Sequence, residues 1–194
     1  MSIRLAAEAD IPAMVAIYGP YVRNTPYSFE YTAPDEQEFS RRLRDISRQY
    51  PWLVWEEQGQ VLGYAYGSAP FERAAFSWCA EVSIYLDPRA HGRGIGSRLY
   101  RALEQLLARQ GYQKVYALIV KENVPSLRFH QALGYRQIAD FADCGFKMGG
   151  WHSIIWMEKR LDSVEFPSMF PVSYRSFVDN DRKLLAFLDN LSLS

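Results

Sequence analysis

The sequence predicts a mixed α/β fold, a central sheet with helices packed against it. Three observations carry that expectation. Short runs rich in Val, Ile, Tyr and Trp alternate with longer stretches whose apolar residues recur at helical spacing. Two of the short runs are joined only by Gln58-Gly59, a link that reads as a hairpin turn. With 194 residues, 48% of them hydrophobic, the chain is long enough to bury one full core, and no internal repeat or low-complexity linker divides it.

Taken in order, residues 3–5 read as an opening strand. Asp10 stands at a helix cap with Pro12 in the first turn. Ile11, Met14, Val15 and Tyr18 repeat at helical spacing, and Gly19-Pro20 is expected to stop that helix. Residues 24–34 form an aromatic segment carrying Tyr27, Phe29 and Tyr31 around Glu30. A second helix starts at the capping pair Asp35 and Glu38 and buries Phe39, Leu43, Ile46 and Tyr50. Its arginines, 41, 42, 44 and 48, fall largely on the solvated side. The hairpin joins residues 52–55 to 61–67, and a loop over 70–75 carries Arg73. Further on, Leu99, Ala102, Leu103, Leu106 and Leu107 mark an amphipathic helix closed by Gly111. Residues 115–120 form a strand, Ser126 is placed to cap a short helix over 127–133, and a last strand pair surrounds Gly149-Gly150. The order is strand, two helices, three strands, helix, strand, helix, strands.

Composition excludes several function classes. Lys and Arg total 22 and Asp and Glu total 22, so no basic surplus argues for nucleic acid or an anionic membrane surface. Two cysteines, Cys79 and Cys144, form no metal-ligand cluster and read as free thiols. Acids interrupt the N-terminal stretch where a signal peptide needs its apolar core, and no apolar run approaches the ~20 residues of a membrane span. The expectation is a soluble, cytoplasmic protein without a metal.

The chemistry concentrates in residues 80–98. A strand alternating polar and apolar residues carries Glu81 and ends at Asp87-Pro88. Gly92, Gly94 and Gly96 follow, and a helix begins at once. A strand, a glycine loop and a helix N-terminus in that order suit an anion, because the first helical amides are free and the dipole favours negative charge. Arg89, Arg93 and Arg98 lie around the same loop. The spacing is neither a Walker loop, which needs a Lys-Ser or Lys-Thr pair, nor a dinucleotide fingerprint, whose third glycine position holds Ser97.

Arg89-x-x-Gly92-x-Gly94, directly after a strand bearing a mid-strand carboxylate, resembles the pyrophosphate loop of the GNAT superfamily of N-acetyltransferases. Residues 50–54, 81–97, 123–135, 145–147 and 151–152 together resemble its phosphinothricin acetyltransferase group. The resemblance implies a GNAT domain over 1–161, with helices on both faces and a splayed strand pair holding acetyl-CoA. Residues 162–194 are then an extension, with Leu184, Leu185, Leu188 and Leu191 on one side of an amphipathic helix.

The resemblance further implies direct attack of a free amine on acetyl-CoA in a ternary complex. Ile84, Tyr85 and Leu86 offer backbone groups to the pantetheine arm. Arg89, Gly92, Arg93, Gly94, Ile95, Gly96 and Ser97 cradle the pyrophosphate, and Asn123 bonds the cofactor. Glu81 is the expected base. His130 occupies the slot that many superfamily members give to a tyrosine, and its ordinary pKa near ~6.5 suits it to protonate the departing sulfur or to carry the amine's proton away. Phe29, Tyr31, Arg73 and His152 are the expected acceptor-side residues, Arg73 as guanidinium partner of an acidic group. The implied acceptor is a small amino-acid-like amine such as phosphinothricin or methionine sulfoximine, and the implied assembly is a homodimer. A protein N-terminus, a lysine or a polyamine as acceptor, or a non-catalytic acyl-CoA sensor, stays open at this point.

Overall fold

The computed structural model describes residues 1–161 and 170–176. Among these residues seven strands form one sheet in the order β1-β2-β3-β4-β5-β7-β6. They are β1 (Ser2–Leu5), β2 (Trp52–Glu57), β3 (Gln60–Ser68), β4 (Cys79–Leu86), β5 (Lys114–Val120), β6 (Arg136–Lys147) and β7 (Gly150–Arg160). Every neighbouring pair is antiparallel except β4 and β5. The β2–β3 turn is the expected one: Gln58 and Gly59 both take positive φ, which a primed hairpin turn requires.

Among the described residues, helices α1 to α4 cover both faces. On one side α3 (Ile95–Gln110) lays Leu99, Leu103, Leu106 and Leu107 on Leu53, Ala65, Val82 and Val115. The short α4 (Val124–Ala132) joins it there through Leu127 and Phe129. On the other side α1 (Ile11–Asn24) and α2 (Glu36–Ile46) bury Met14, Tyr18, Phe39 and Leu43 against Trp52, Val54 and Tyr64. Strand alternation therefore sends Ala80, Val82, Ile84 and Leu86 toward α3, and Glu81, Ser83 and Tyr85 toward the opposite face.

Two local expectations are corrected. Helix α1 does not stop at Gly19-Pro20 but runs on to Asn24 with Pro20 inside it. Proline forfeits one helical hydrogen bond. Tyr18 and Val22 on either side are buried, however, and Tyr21 sends its hydroxyl to the Leu86 carbonyl at 2.8 Å, so packing outweighs the lost bond. Helix α4 begins at Val124 rather than 127, because Asn123 and not Ser126 is its cap: Asn123 Oδ1 accepts the Ser126 N–H at 3.3 Å. The caps at Asp35, whose carboxylate accepts the Glu38 N–H at 2.8 Å, and at Gly111 stand as expected.

Residues 170–176 pack back onto the residues that precede them. Phe170 stacks on Trp78 with centroids 4.8 Å apart, Gln110 Nε2 donates to the Val172 carbonyl at 2.9 Å, and Tyr174 is buried. The expected amphipathic helix around Leu184–Leu191 lies outside the described residues.

Pro20 is exposed, so its ring contributes little packing. Pro20→Ala restores a helical N–H and should raise stability, by up to about 3 kcal/mol, in a denaturant titration. A loss of stability would show that the proline is needed for the path of α1.

Candidate active site

The parallel pair holds for only three rungs, Cys79 with Lys114, Ala80 with Val115 and Glu81 with Tyr116. Beyond them β4 and β5 part, and a cleft opens through the sheet. Val82, Ser83 and Ile84 line one wall, and residues 117–120 of β5 line the other. Tyr21 and Tyr27 close it on the α1 side, and Asn123, Ser126 and His130 close it on the α4 side. The cleft continues past Ile84, Leu86 and Phe129 to His91 and Gly92 in the glycine loop.

At that end the backbone is ready for an anion. Gly92 and Gly94 take φ of 70° and 74°, a conformation that L side chains rarely adopt. A Cβ on either would meet nothing within 4 Å, so the loop surface is open. Gly94 is the N-cap of α3, and the N–H groups of Ile95, Gly96 and Ser97 belong to its first turn. Gly96 also has a packing reason to be glycine: a Cβ there would sit 3.2 Å from Phe129 and 3.3 Å from Leu86. The arginines are committed elsewhere. Arg89 is paired with Asp87 at 2.8 Å and Arg93 with Glu57 at 2.7 Å, while Arg98 lies over the Trp55 ring. What the loop presents to its open side is therefore mainly backbone amides and the positive end of the helix dipole, a setting that suits an anion.

Of the three strand residues expected to bond the pantetheine arm, the structure separates the roles. Two carbonyls that face the gap already accept from tyrosines, Val82 from Tyr100 at 3.2 Å and Leu86 from Tyr21 at 2.8 Å. Peptide groups alternate sides along a strand, so those of Ile84 face the gap and those of Tyr85 face β3, where Tyr85 is in register with Tyr64. The Tyr85 ring packs against Tyr18, Tyr21 and Tyr64. Asn123 lines the cleft; its side-chain carbonyl is used by the α4 cap, so what it offers the cleft is its amide NH2.

Glu81 and His130 are brought to opposite faces of the same gap. Glu81 lies on the last paired rung, on the α1 face, and burial pushes its carboxyl above the usual carboxylate range. His130 is 2% exposed on the α3 face. Its Nδ1 is 2.8 Å from the Ser126 carbonyl, which can only accept, so the ring hydrogen is on Nδ1 and Nε2 accepts from the Tyr100 hydroxyl at 2.9 Å. Burial pulls its pKa down to about 4. The sequence expectation of a pKa near the ordinary value is thus corrected: at neutral pH His130 is uncharged, and its one N–H is committed. Tyr100 has a single hydrogen for two acceptors, His130 Nε2 and the Val82 carbonyl, and its hydroxyl lies at the cleft wall.

The acceptor-side residues divide into two places. Phe29, Tyr31 and His152 meet at the β6–β7 turn. A Cβ on Gly145 would collide with the Phe29 ring at 2.2 Å, and the Tyr31 hydroxyl donates to the Phe146 carbonyl. His152 reaches Glu122 with Nδ1 at 3.1 Å and the Lys147 carbonyl with Nε2 at 3.0 Å, and Glu122 raises its pKa. Arg73 is not among them: it is exposed on the β3–β4 loop and lines neither end of the cleft. Its loop reaches the α1 face through Phe71, which packs on Tyr116 and Trp156 near Glu81. Sequence reasoning missed Tyr21 and Tyr100. Their helical spacing marks them as buried, but only the parting of β4 from β5 makes them neighbours of a site.

The matching family model settles the lineage: an Acetyltransferase (GNAT) domain, over residues 3–171. The chain belongs to the GNAT acetyltransferases. Among curated relatives, phosphinothricin N-acetyltransferase of Streptomyces viridochromogenes is 36% identical over 79% of this chain and 84% of its own length. The L-methionine sulfoximine/L-methionine sulfone acetyltransferase of Pseudomonas aeruginosa is 35% identical over 83% and 95%. Among solved structures, a GNAT superfamily phosphinothricin acetyltransferase from Sinorhizobium meliloti in complex with AcCoA superposes with a TM-score of 0.81 at 34% identity, covering 88% of this chain and 92% of that one.

The buried, neutral His130 predicts a pH dependence of stability. The unfolded chain binds a proton on this ring near pH ~6.5 and the native chain only near pH 4, so between these values the unfolded state holds more protons. Stability is full above the upper value and falls as pH is lowered, by up to about 3 kcal/mol from this residue. Melting temperatures of wild type and His130→Gln between pH 7 and 4 measure it: the slope should be smaller in the variant, and equal slopes would discard the assignment.

Proposed function

We propose that this chain is an acetyl-CoA-dependent N-acetyltransferase for small amino-acid-like amines of the phosphinothricin and methionine sulfoximine type, acting by direct attack in a ternary complex. The observation that carries the reading is the cleft that opens one residue beyond Glu81 and runs without interruption to a helix N-terminus preceded by two positive-φ glycines. The names of the relatives supply the acceptor class.

The bound donor supplies an activated acetyl thioester. The amides of the Gly92–Gly94 turn and the first turn of α3 hold a pyrophosphate, with Arg89 and Arg93 at the rim. The peptide groups of Ile84 and the Asn123 amide bind the extended arm. Glu81 takes the proton from the acceptor ammonium, directly or through one water; its raised pKa brings it closer to the range where a base works at neutral pH. On the far side of the gap the Tyr100 hydroxyl, bonded to His130 at rest, turns its single hydrogen toward the departing sulfur, which leaves as a thiolate and takes up the second proton shed by the acylated nitrogen. His130 acts through Tyr100 rather than as the acid itself. Phe29, Tyr31 and His152 form the acceptor-side wall, and Arg73 pairs with the acceptor's carboxylate or phosphinate once its loop folds over.

The protein is proposed to be a cytoplasmic homodimer that neutralises glutamine-synthetase inhibitors by acetylating their amine. The described cysteines are both free, as in a reducing compartment. Phe146, Met148 and Trp151 stand exposed together on the β6–β7 turn beside the acceptor-side wall, an apolar surface suited to a second copy.

Thiol release from acetyl-CoA over a panel of amines tests the acceptor class. Turnover is expected for phosphinothricin, methionine sulfoximine and methionine sulfone. Turnover confined to peptides or polyamines would replace the acceptor, and acetyl-CoA binding without turnover of any amine would favour a sensor. Glu81→Gln should lower kcat about 10²–10⁴-fold with acetyl-CoA affinity within twofold of wild type. Since Glu81 works ionised, kcat/KM should fall toward acid pH with an apparent pKa above that of an exposed carboxylate. An unchanged kcat removes Glu81 from the reaction.

A further inference from the structure

Lys147 is a buried lysine that the reaction does not use. It ends β6, is 4% exposed, and sends its ammonium beneath the C-terminus of α1. There Nζ donates to three carbonyls, Val22 at 2.7 Å, Thr25 at 3.1 Å and Ser28 at 2.6 Å. Three donors meet three acceptors, so the buried ammonium is fully satisfied. It also lies at the negative end of the α1 dipole, where a cation is favoured.

Those carbonyls are not a random set. Val22 is in the last turn of α1, Thr25 is its C-cap, and Ser28 lies beyond it in the aromatic segment. Between the second and third stands Tyr27, which lines the cleft at both ends, and directly after the third come Phe29 and Tyr31. The same turn of β6 and β7 is tied to this segment twice more, through Tyr31 to the Phe146 carbonyl and through Phe29 over Gly145. His152 in turn fixes the Lys147 carbonyl at 3.0 Å. No hydrogen bond between sheet strands reaches residues 25–31, and no regular secondary structure includes them. Their path depends on side-chain bonds: the Lys147 set, the buried Tyr18–Ser28 hydroxyl pair at 2.7 Å, and the bonds of Tyr18 and Arg42 to Glu30; only the Lys147 set ties the backbone carbonyls of the segment to β6.

We propose that Lys147 is a positioning residue: its ammonium fixes the path of residues 25–31 and thereby sets Tyr27, Phe29 and Tyr31 against the acceptor end of the cleft. The acceptor part of this inference rests on the function proposed above; the fixing of the segment does not. Removing the ammonium leaves three buried carbonyls without their donor and loosens the segment at its buried end, while the Tyr31 and Phe29 contacts to the turn remain. The glycine loop and α3 share no bond with Lys147, so donor binding at that end is spared.

Lys147→Met keeps the length of the stem and deletes the charge. Two measurements on the full chain read the outcome. In amide hydrogen exchange, residues 24–31 should exchange at least tenfold faster than in wild type, with β4 and the first turn of α3 unchanged. In steady-state kinetics with whichever amine the wild type acetylates, acceptor KM should rise tenfold or more while acetyl-CoA KM changes less than threefold. Unchanged exchange over 24–31 overturns the positioning role whatever the substrate is. Faster exchange with acceptor and acetyl-CoA KM moving together overturns the acceptor part alone. If Lys147→Met does not fold, Lys147→Gln, which keeps two N–H donors on a shorter stem, is read by the same two criteria. A wild type that acetylates no amine would count against the proposed function, and exchange would still decide the role of Lys147.

Discussion

A parallel strand pair that stops pairing after three rungs leaves a row of backbone groups without a sheet neighbour, and the site is built on how those groups are used. Buried peptide groups must be bonded. The Val82 and Leu86 carbonyls are met by Tyr100 and Tyr21, side chains delivered from helices on opposite faces of the sheet. The peptide groups of Ile84 lie between them and face the gap. A linear ligand with amides of its own can enter such a gap as a further strand would, without rearranging the sheet. The parting of the strands places Glu81 at the edge of the opening.

Burial acts on the titratable groups of this region in three distinct ways, and the number of partners decides which. Burial lowers the pKa of Lys147, but its ammonium meets three carbonyls, which support the charge. His130 is buried with one carbonyl and one phenol for partners, and it stays neutral. Glu81 is only partly enclosed, and its carboxyl is shifted upward by burial, the direction a base near neutrality needs. Glu104 and Glu158 show the same rule away from the site: each is buried and each is bonded to a lysine, Lys159 and Lys114 respectively.

Much of this was legible in the residues. The hairpin at Gln58-Gly59, the capped start of α2 at Asp35 and the glycine-closed end of α3 are local events, governed by φ preferences and by bonds spanning three or four residues. The glycine loop was legible for the same reason, since Gly92 and Gly94 have a conformational requirement of their own. One local reading failed where a distant contact intervened. Pro20 did not end α1 because the next turn of that helix is held by Leu86 and Lys147, which lie 66 and 127 residues further along the chain. Arg73 and the aromatic segment, paired in the sequence reading by their chemistry, lie apart because each follows its own anchor, Phe71 on Trp156 and Phe29 on Gly145.

The sequence by itself determined the class of sheet, the anion-ready turn and the presence of a carboxylate on the strand before it. These depend on periodicity and backbone freedom, which short stretches of chain carry whole. Only the tertiary structure decided where β4 leaves β5, which face of the gap each side chain reaches, and the protonation state of His130. Those outcomes depend on register, burial and bonding between segments far apart in the chain, and such properties exist only once the segments are packed.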